Sequence, residues 1–360
     1  MPKRSVPTSL SEAATAGGSV ASRLAATINK DAKDDIAAVA GEAALPADIK
    51  GYVSTQCANL DYILCRPGVP IGRLTLLFGK EGSAKSTLCL HLLMEAQRQG
   101  GLGVLIDSEC RFSRDRAERM GLDADELIVI SGATMEKSFA AIETVVKASQ
   151  EDFPERLVVI AYDSLAGSPT EGLLKKELGE AGSFGNASRF VGEALRRILP
   201  RVARSNVALV IVNQLRLHID ASSGPRSYDR RKVMGKYAML AEAPLIFHSS
   251  LGVFLTSAGL YPDNDNPEGI EVRAQVKKHS DGPGEGKGCA FQVSFLRGID
   301  QTDAKFRLLE ELGVITRSGA WYSVEGREKK FQRKDVQEVL METPELEEII
   351  QAAPLAWLEG

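Results

Sequence analysis

Gly79-Lys80-Glu81-Gly82-Ser83-Ala84-Lys85-Ser86 lies between an apolar run, Leu74–Gly79, and an amphipathic stretch, Lys85–Arg98, that Gly100 and Gly101 stop. A strand, a glycine-bearing turn and a helix in that order converge backbone N–H groups at a helix N-terminus, where phosphate oxygens are held. Gly79 and Gly82 supply backbone freedom, with Lys80, Glu81, Ser83 and Ala84 completing the loop. Lys85 is placed to bridge the β- and γ-phosphates of ATP, Ser86 to put its hydroxyl on Mg²⁺, and Thr87 to support it. The usual pattern is G-x-x-x-x-G-K-[ST], and Ala84 stands where the second glycine is expected. If that position needs a positive φ, alanine is strained there; if not, the change is harmless. The bland alternative, a glycine-rich turn capping an ordinary helix, is disfavoured by the strand before it and the helix after it.

Outward from the loop, short apolar runs alternate with helical stretches. Strands are expected at Leu74–Gly79, Gly103–Asp107, Glu126–Ile130, Arg156–Asp163 and Val207–Asn213, and helices at Lys85–Arg98, Ser138–Ser149 and Asn186–Val202. This alternation predicts an α/β fold, a mostly parallel central sheet flanked by helices. Three later runs, Leu251–Ser257, Glu271–His279 and Cys289–Leu296, have turn-rich joints and are expected to extend the sheet as hairpins. Residues 300–360 read as a small, mostly helical C-terminal lobe, with Trp321 and Tyr322 in its core, and residues 48–299 as the main domain. Residues 1–47 read as a helical arm and linker, with a weak stripe of Val20, Leu24, Ile28, Ile36 and Val39. That stripe is too thin to build a core and suits packing on a neighbouring subunit.

The 360 residues carry a formal net charge of -4, so any DNA contact must come from local basic loops rather than a basic whole. Five cysteines, an odd number with no C-x-x-C pair, argue against a disulfide framework or a zinc site. No apolar run is long enough to cross a bilayer, and no secretory apolar region follows the basic start. Glu12, Asp31, Asp34 and Asp35 speak against a transit peptide, which leaves the cytoplasm as the expected setting.

A phosphate loop needs an acid near Mg²⁺ and a group that orients water. Asp163 ends an apolar strand, where parallel sheets bind ligands, and is the Mg²⁺-side candidate. Ser164 follows it rather than a glutamate, so the catalytic acid is sought in Gly103–Glu109, whose Glu109 can polarise water; Asp107 is expected to stabilise the strand end. Gln214 ends another apolar strand. Its amide either senses the γ-phosphate or satisfies a loop backbone, and chemistry alone leaves both open.

These segments together resemble the RecA family of recombinases, particularly its divergent phage-type branch. The resemblance runs from S-T-Q-C-A-N-L-D-Y-I-L at Ser54 through V-L-I-D-S-E, V-V-I-A-Y-D-S and V-I-V-N-Q-L-R to L-G-V-I-T-R-S-G-A-W-Y-S, Leu312 to Ser323. It implies that Lys85, Ser86 and Thr87 serve phosphate and Mg²⁺, Asp163 is the acid beside them, Glu109 the catalytic glutamate and Gln214 the γ-phosphate sensor. It implies a first DNA-binding loop at about 175–188 with Arg189 and Arg196 near DNA, and a second at about 216–242. Val276-Lys277-Lys278-His279 matches a strand that reaches the ATP of the neighbouring subunit. Arg116 stands where an adenine-stacking tyrosine is usual, and a guanidinium also stacks on a base. His279 stands where a second lysine is expected. The implied activity is DNA-dependent ATP hydrolysis driving strand exchange, with ATP and Mg²⁺ as cofactors. The implied partners are single-stranded DNA, double-stranded DNA and further copies of the chain in a helical filament. A ring helicase of the same fold and a nucleotide-binding regulator that does not turn ATP over are the rival readings.

The residues of the second loop carry their own argument. Arg216, His218, Arg226, Arg230, Arg231, Lys232 and Lys236 crowd one segment, with Tyr228 and Tyr237 interleaved. Cationic side chains release counterions from phosphates and aromatic rings stack on bases. An isolated charge run is usually only a solvated loop; this one follows Gln214 directly.

Overall fold

The computed structural model describes residues 19–33, 37–40, 48–175, 184–217, 237–263, 265–327 and 329–356. The chain divides into two compact units, Met1–Ile49 and Lys50–Gly360. The first contains helix α1 (Val20–Ala32), capped by the Ser19 hydroxyl on the Ser22 N–H. Val20, Leu24 and Ile28, spaced one turn apart, are 73%, 60% and 40% exposed and form an apolar stripe. Asn29 closes the following turn through both its amide groups on the backbone of Ala37. Ile36 lies outside the described residues.

The second unit is built on strands β1 (Tyr52–Val53), β2 (Val69–Pro70), β3 (Leu74–Gly79), β4 (Leu102–Asp107), β5 (Leu127–Ser131), β6 (Val158–Asp163) and β7 (Val207–Gln214). Short strands β8 (Arg216–Leu217) and β9 (Tyr237–Ala238) precede β10 (Leu251–Tyr261), β11 (Gly269–His279), β12 (Gly288–Ser294) and β13 (Gly298–Ile299). Helices α2 (Ala58–Leu64), α3 (Lys85–Arg98), α4 (Arg114–Met120), α5 (Met135–Glu151), α6 (Glu171–Leu174) and α7 (Phe184–Ala203) join them. The central sheet has nine strands in the order β13-β12-β11-β10-β3-β7-β6-β4-β5. The strands from β10 to β5 in that order are parallel, and β10 to β13 form an antiparallel meander, so the expected hairpins do extend the sheet.

Both faces of the sheet are covered, and side chains alternate between two cores as a strand's two-residue period requires. On β7, Ala208, Val210 and Val212 enter the core under α2 and α3, while Val207, Leu209 and Ile211 enter the one under α5 and α7. The same split places Leu77 on one side and Leu74, Leu76 and Phe78 on the other. Such continuous apolar runs keep β3, β6 and β7 in the middle of the sheet and hold their C-terminal tips in fixed register.

The C-terminal section is mostly helical, as expected, but a strand hairpin interrupts it. After the helix Gln301–Glu311 comes a hairpin of β14 (Ile315–Ser318) and β15 (Trp321–Val324), and only then two short helices, Val336–Glu342 and Glu345–Ala352. Tyr322 is core, edge-on to Phe306, but Trp321 is 47% exposed, because neighbours on a strand face opposite ways. Tyr62 and Ala58 of α2 pack against this cluster. Asp303 accepts from Gln292 N–H and pairs with Arg307 and Arg333, while Arg307 grips Glu271 with two hydrogen bonds. No helix among the described residues is long and apolar enough to cross a membrane.

Candidate nucleotide and DNA site

Four strands end side by side. The register sets Gly79 of β3 opposite Gln214 of β7, and Asp107 of β4 opposite Asp163 of β6. Their tips open into a cavity of about 540 Å³ lined by the loop residues Glu81 to Thr87, by Asp107, Glu109 and Asp163, by Gln214 and by Arg111 and Arg116. A crevice beyond the carboxyl ends of parallel strands is where open α/β sheets bind ligands.

The loop has the folded form of a phosphate cradle. Lys85 Nζ turns back to the carbonyls of Gly79 (3.1 Å) and Lys80 (2.6 Å) and to Ser83 Oγ (3.2 Å), and Ser83 in turn donates to Lys80 O. Gly82 has φ 71° and Ala84 φ 62°, both in the left-handed region. The position of the missing glycine therefore does require a positive φ, and alanine is strained there by about 1–2 kcal/mol. Helix α3 starts directly after this kink, so its N–H groups face the cavity.

Charge is concentrated here. Burial lowers the Lys85 ammonium from its ordinary value, with Asp163 the main group opposing the fall. Burial pushes the Asp163 carboxyl up, against the pull of a hydrogen bond from Ser86 and the charge of Lys85. Both groups are thus held where a polyanion and a cation would relieve them. No cluster of three metal-ligating side chains occurs among the described residues. The Ser86 hydroxyl and the Asp163 carboxylate fit Mg²⁺ nonetheless, since that ion keeps several waters and takes its remaining oxygens from phosphates.

Glu109 is fixed by three donors. Gln214 Nε2 (2.9 Å) and Ser164 Oγ (3.2 Å) reach its Oε1, and Arg111 Nε (3.0 Å) reaches its Oε2. Ser108 and Ser164 exchange hydrogen bonds, Ser164 N–H to Ser108 Oγ and Ser108 O–H to Ser164 O, which pins the β4 tip to the β6 tip. Gly167 touches this arrangement so closely that an added Cβ would come within 2.6 Å of Glu109 Cγ and 2.7 Å of Ser108 Oγ. The carboxylate of Asp107 accepts the Phe112 N–H and shapes the turn after β4. Arg116 Nη2 donates to Thr87 Oγ1 at 2.9 Å, and its buried Nε has no partner among the described residues.

Sequence reasoning missed Ser108, Ser164, Arg111 and Asn213. Asn213, fully buried, donates to Leu240 O and accepts the Gln214 N–H, so it joins the two legs of the second loop. Leu215 N–H bonds Gly79 O, and the ladder Arg216↔Ala238 closes the loop's base. Of the residues expected there, Arg216 is described and exposed; His218, Arg226, Tyr228, Arg230, Arg231, Lys232 and Lys236 lie outside the described residues, as does most of the first loop. Arg189 and Arg196, seven residues apart on one face of α7, are both exposed. Arg189 is paired with Glu193.

Lys277 and His279 do not line the cavity. Leu251 of β10 pairs with both Thr75 and His279, which sets His279 near the start of β3, four residues before Gly79. Lys277 Nζ stands 5.8 Å over the Phe254 ring, and His279 Nε2 bonds Leu64 O. Lys278 caps the helix Glu242–His248 through the carbonyls of Ile246 and Phe247.

The comparisons with known proteins agree with this geometry. The family model of the RecA N-terminal domain matches residues 22–241. Protein RecA of Chlorobium chlorochromatii (strain CaD3) is 30% identical over 296 residues, 82% of this chain and 78% of the relative. Protein RecA of Aquifex pyrophilus is 32% identical over 298 residues, covering 82% and 80%. Protein RecA 2 of Myxococcus xanthus is 29% identical over 303 residues, covering 84% and 80%.

Proposed function

The chain belongs to the RecA family of ATP-dependent DNA recombinases, and from that membership we propose which residues carry nucleotide, metal and DNA. As a family member it is a nucleotide-binding, DNA-binding ATPase. In our reading the nucleotide is ATP, held by Gly79 to Thr87 with Lys85 on its β- and γ-phosphates. Ser86 and Asp163 hold Mg²⁺, which when bound neutralises charge on the phosphate oxygens. Glu109 takes the proton of the attacking water, and Gln214 orients and senses the terminal phosphate. Arg116 stacks on the base.

Single-stranded DNA lies along Arg189, Arg196, Arg216 and the basic second loop, and duplex DNA is sampled from there. Copies of the chain form a helical filament in which the stripe on α1 meets a neighbour and Lys277, with His279, faces the neighbour's ATP. Residues 1–47, 48–299 and 300–360 act as arm, motor and C-terminal lobe, and the proposed setting is the cytoplasm.

One observation carries this reading. The base of the second loop is bonded to the nucleotide cavity at two points, Leu215 N–H to Gly79 O and Gln214 to Glu109. We infer that occupancy of the cavity is passed through these two bonds to the DNA loop. The test is strand exchange between homologous DNAs with ATP and Mg²⁺, run beside Glu109→Gln. Joint molecules from the wild type are expected, with ATP turnover lost in the variant; no exchange by the wild type would sink the reading. The strained Ala84 favours a second reading, a nucleotide-binding regulator without turnover. ATP bound at micromolar affinity but not hydrolysed in the presence of DNA would select it.

A further inference from the structure

Arg111 occupies a place in the cavity that none of the roles above uses. Its guanidinium spans the opening: Nε pairs with Glu109 Oε2 at 3.0 Å and Nη1 with Glu81 Oε1 at 3.4 Å, so it ties the tip of β4 to the phosphate loop. The chain reaches this position through Cys110, whose φ of 54° turns the backbone sharply after Glu109. A non-glycine residue in that region persists only where its surroundings hold it, and such residues gather at functional sites. The Arg111 side chain is 68% exposed and that of Glu81 76%, so their pair faces water and is weakly held, while Glu109 is met from the open side of the cavity. A triphosphate offers more charge and a fork-shaped set of oxygens that a guanidinium matches with two bonds.

We propose that Arg111 is a phosphate-binding residue supplied in cis, which exchanges Glu81 and Glu109 for the terminal phosphate when ATP enters. This rests on the nucleotide cavity as read above. The exchange has two effects. It bares Glu109 Oε2, so that carboxylate can accept the proton of the attacking water. It also sets a fixed positive charge beside the oxygens on which negative charge accumulates. In the step itself the water oxygen bonds to the γ-phosphorus, the bond to the bridging β-phosphate oxygen breaks, and ADP and inorganic phosphate leave. The water proton goes to Glu109. Serving the terminal phosphate alone, Arg111 separates ATP from ADP.

The experiment uses the full chain with single-stranded DNA and compares wild type, Arg111→Ala and Arg111→Lys. Turnover is read by phosphate release, and binding by fluorescently labelled ATP analogue and ADP. The expected result for Arg111→Ala is a fall in kcat of about 100-fold or more, as for loss of one oxyanion donor. ATP-analogue affinity should weaken about tenfold while ADP affinity stays within twofold, and Arg111→Lys should fall between. Turnover that is unchanged or faster in Arg111→Ala overturns the proposal, a faster rate marking Arg111 as a mere restraint on Glu109. Equal losses of ATP and ADP affinity also overturn it, since they mean a structural role. A wild-type chain that binds neither nucleotide would instead refute the underlying cavity assignment, and the proposal with it.

Discussion

Gln214 Nε2 donates to Glu109 Oε1 at 2.9 Å, joining residues 105 positions apart in the chain. One amide thus touches the proposed base and begins the loop proposed to hold DNA. Gln214→Ala cuts that link. The expected outcome is loss of the ATP-dependent gain in single-stranded DNA affinity, measured by anisotropy with and without a slowly hydrolysed ATP analogue. Wild-type stimulation in the variant would contradict it. Glu109→Gln should lower turnover by about 10²–10⁴-fold, the usual range for removing a general base, with ATP affinity kept within a few-fold.

Ala84→Gly should stabilise the chain. The left-handed backbone at φ 62° strains alanine by about 1–2 kcal/mol, and glycine gives back about 0.5–1 kcal/mol through its freer unfolded state. The net gain is about 0.5–1 kcal/mol, visible as a higher thermal midpoint. A lower midpoint would mean that the methyl group packs more favourably than its backbone is strained.

Arg116→Ala should weaken ATP about tenfold, the scale of a partly desolvated cation–π contact, and leave tripolyphosphate binding unchanged. Competition between ATP and tripolyphosphate measures the split. Equal loss for both ligands would show that Arg116 acts through Thr87 on the phosphates and not on the base.

His91 gives the fold a pH dependence. The Ile299 N–H must donate to Nε2, so the ring is neutral with its proton on Nδ1 toward Gln56 Oε1. Burial depresses its pKa from 6.5 to about 4. The unfolded chain then binds the extra proton first. Stability is fully present above pH 6.5 and drains away as pH falls toward 4, by about 3 kcal/mol. Asp61 runs the other way: burial raises it to about 6, so its penalty is full above pH 6 and eases on acidification. Urea titrations of wild type and His91→Gln from pH 7 to pH 4 isolate the histidine, because Asp61 is common to both. The variant should lose less stability over that span; parallel curves would count against a neutral buried ring.

Arg230→Ala with Arg231→Ala should weaken single-stranded DNA binding and reduce the slope of log K against log[salt] by about 1.4, two phosphate contacts at about 0.7 each. An unchanged slope would remove these residues from the DNA path.

The sequence announced the tips of β3, β6 and β7 because apolar runs ending in Gly79, Asp163 and Gln214 can only be buried strands with polar ends. It announced the two-sided sheet for the same reason. The conformation of Ala84 was posed as a question and needed coordinates, since φ is not encoded in residue type alone. Arg111 was invisible because its direction depends on the turn at Cys110. Ser108 and Ser164 were invisible because their pairing crosses 56 residues of chain. Trp321 is exposed rather than core because adjacent residues on a strand face opposite ways, which a hairpin unmarked by any apolar alternation does not announce.

The grip of Arg307 on Glu271, with Asp303 between Arg307 and Arg333, has a practical consequence for anyone trimming or swapping the tail. A cut near residue 300 removes Asp303, Arg307 and Arg333 together and leaves the half-buried Glu271 without its guanidinium partner. It would also peel the cover from Tyr62 and Ala58 of α2. Exchange of this section between relatives should therefore succeed only when the donor brings matching acid and guanidinium at the seam, and shortened versions are expected to be insoluble.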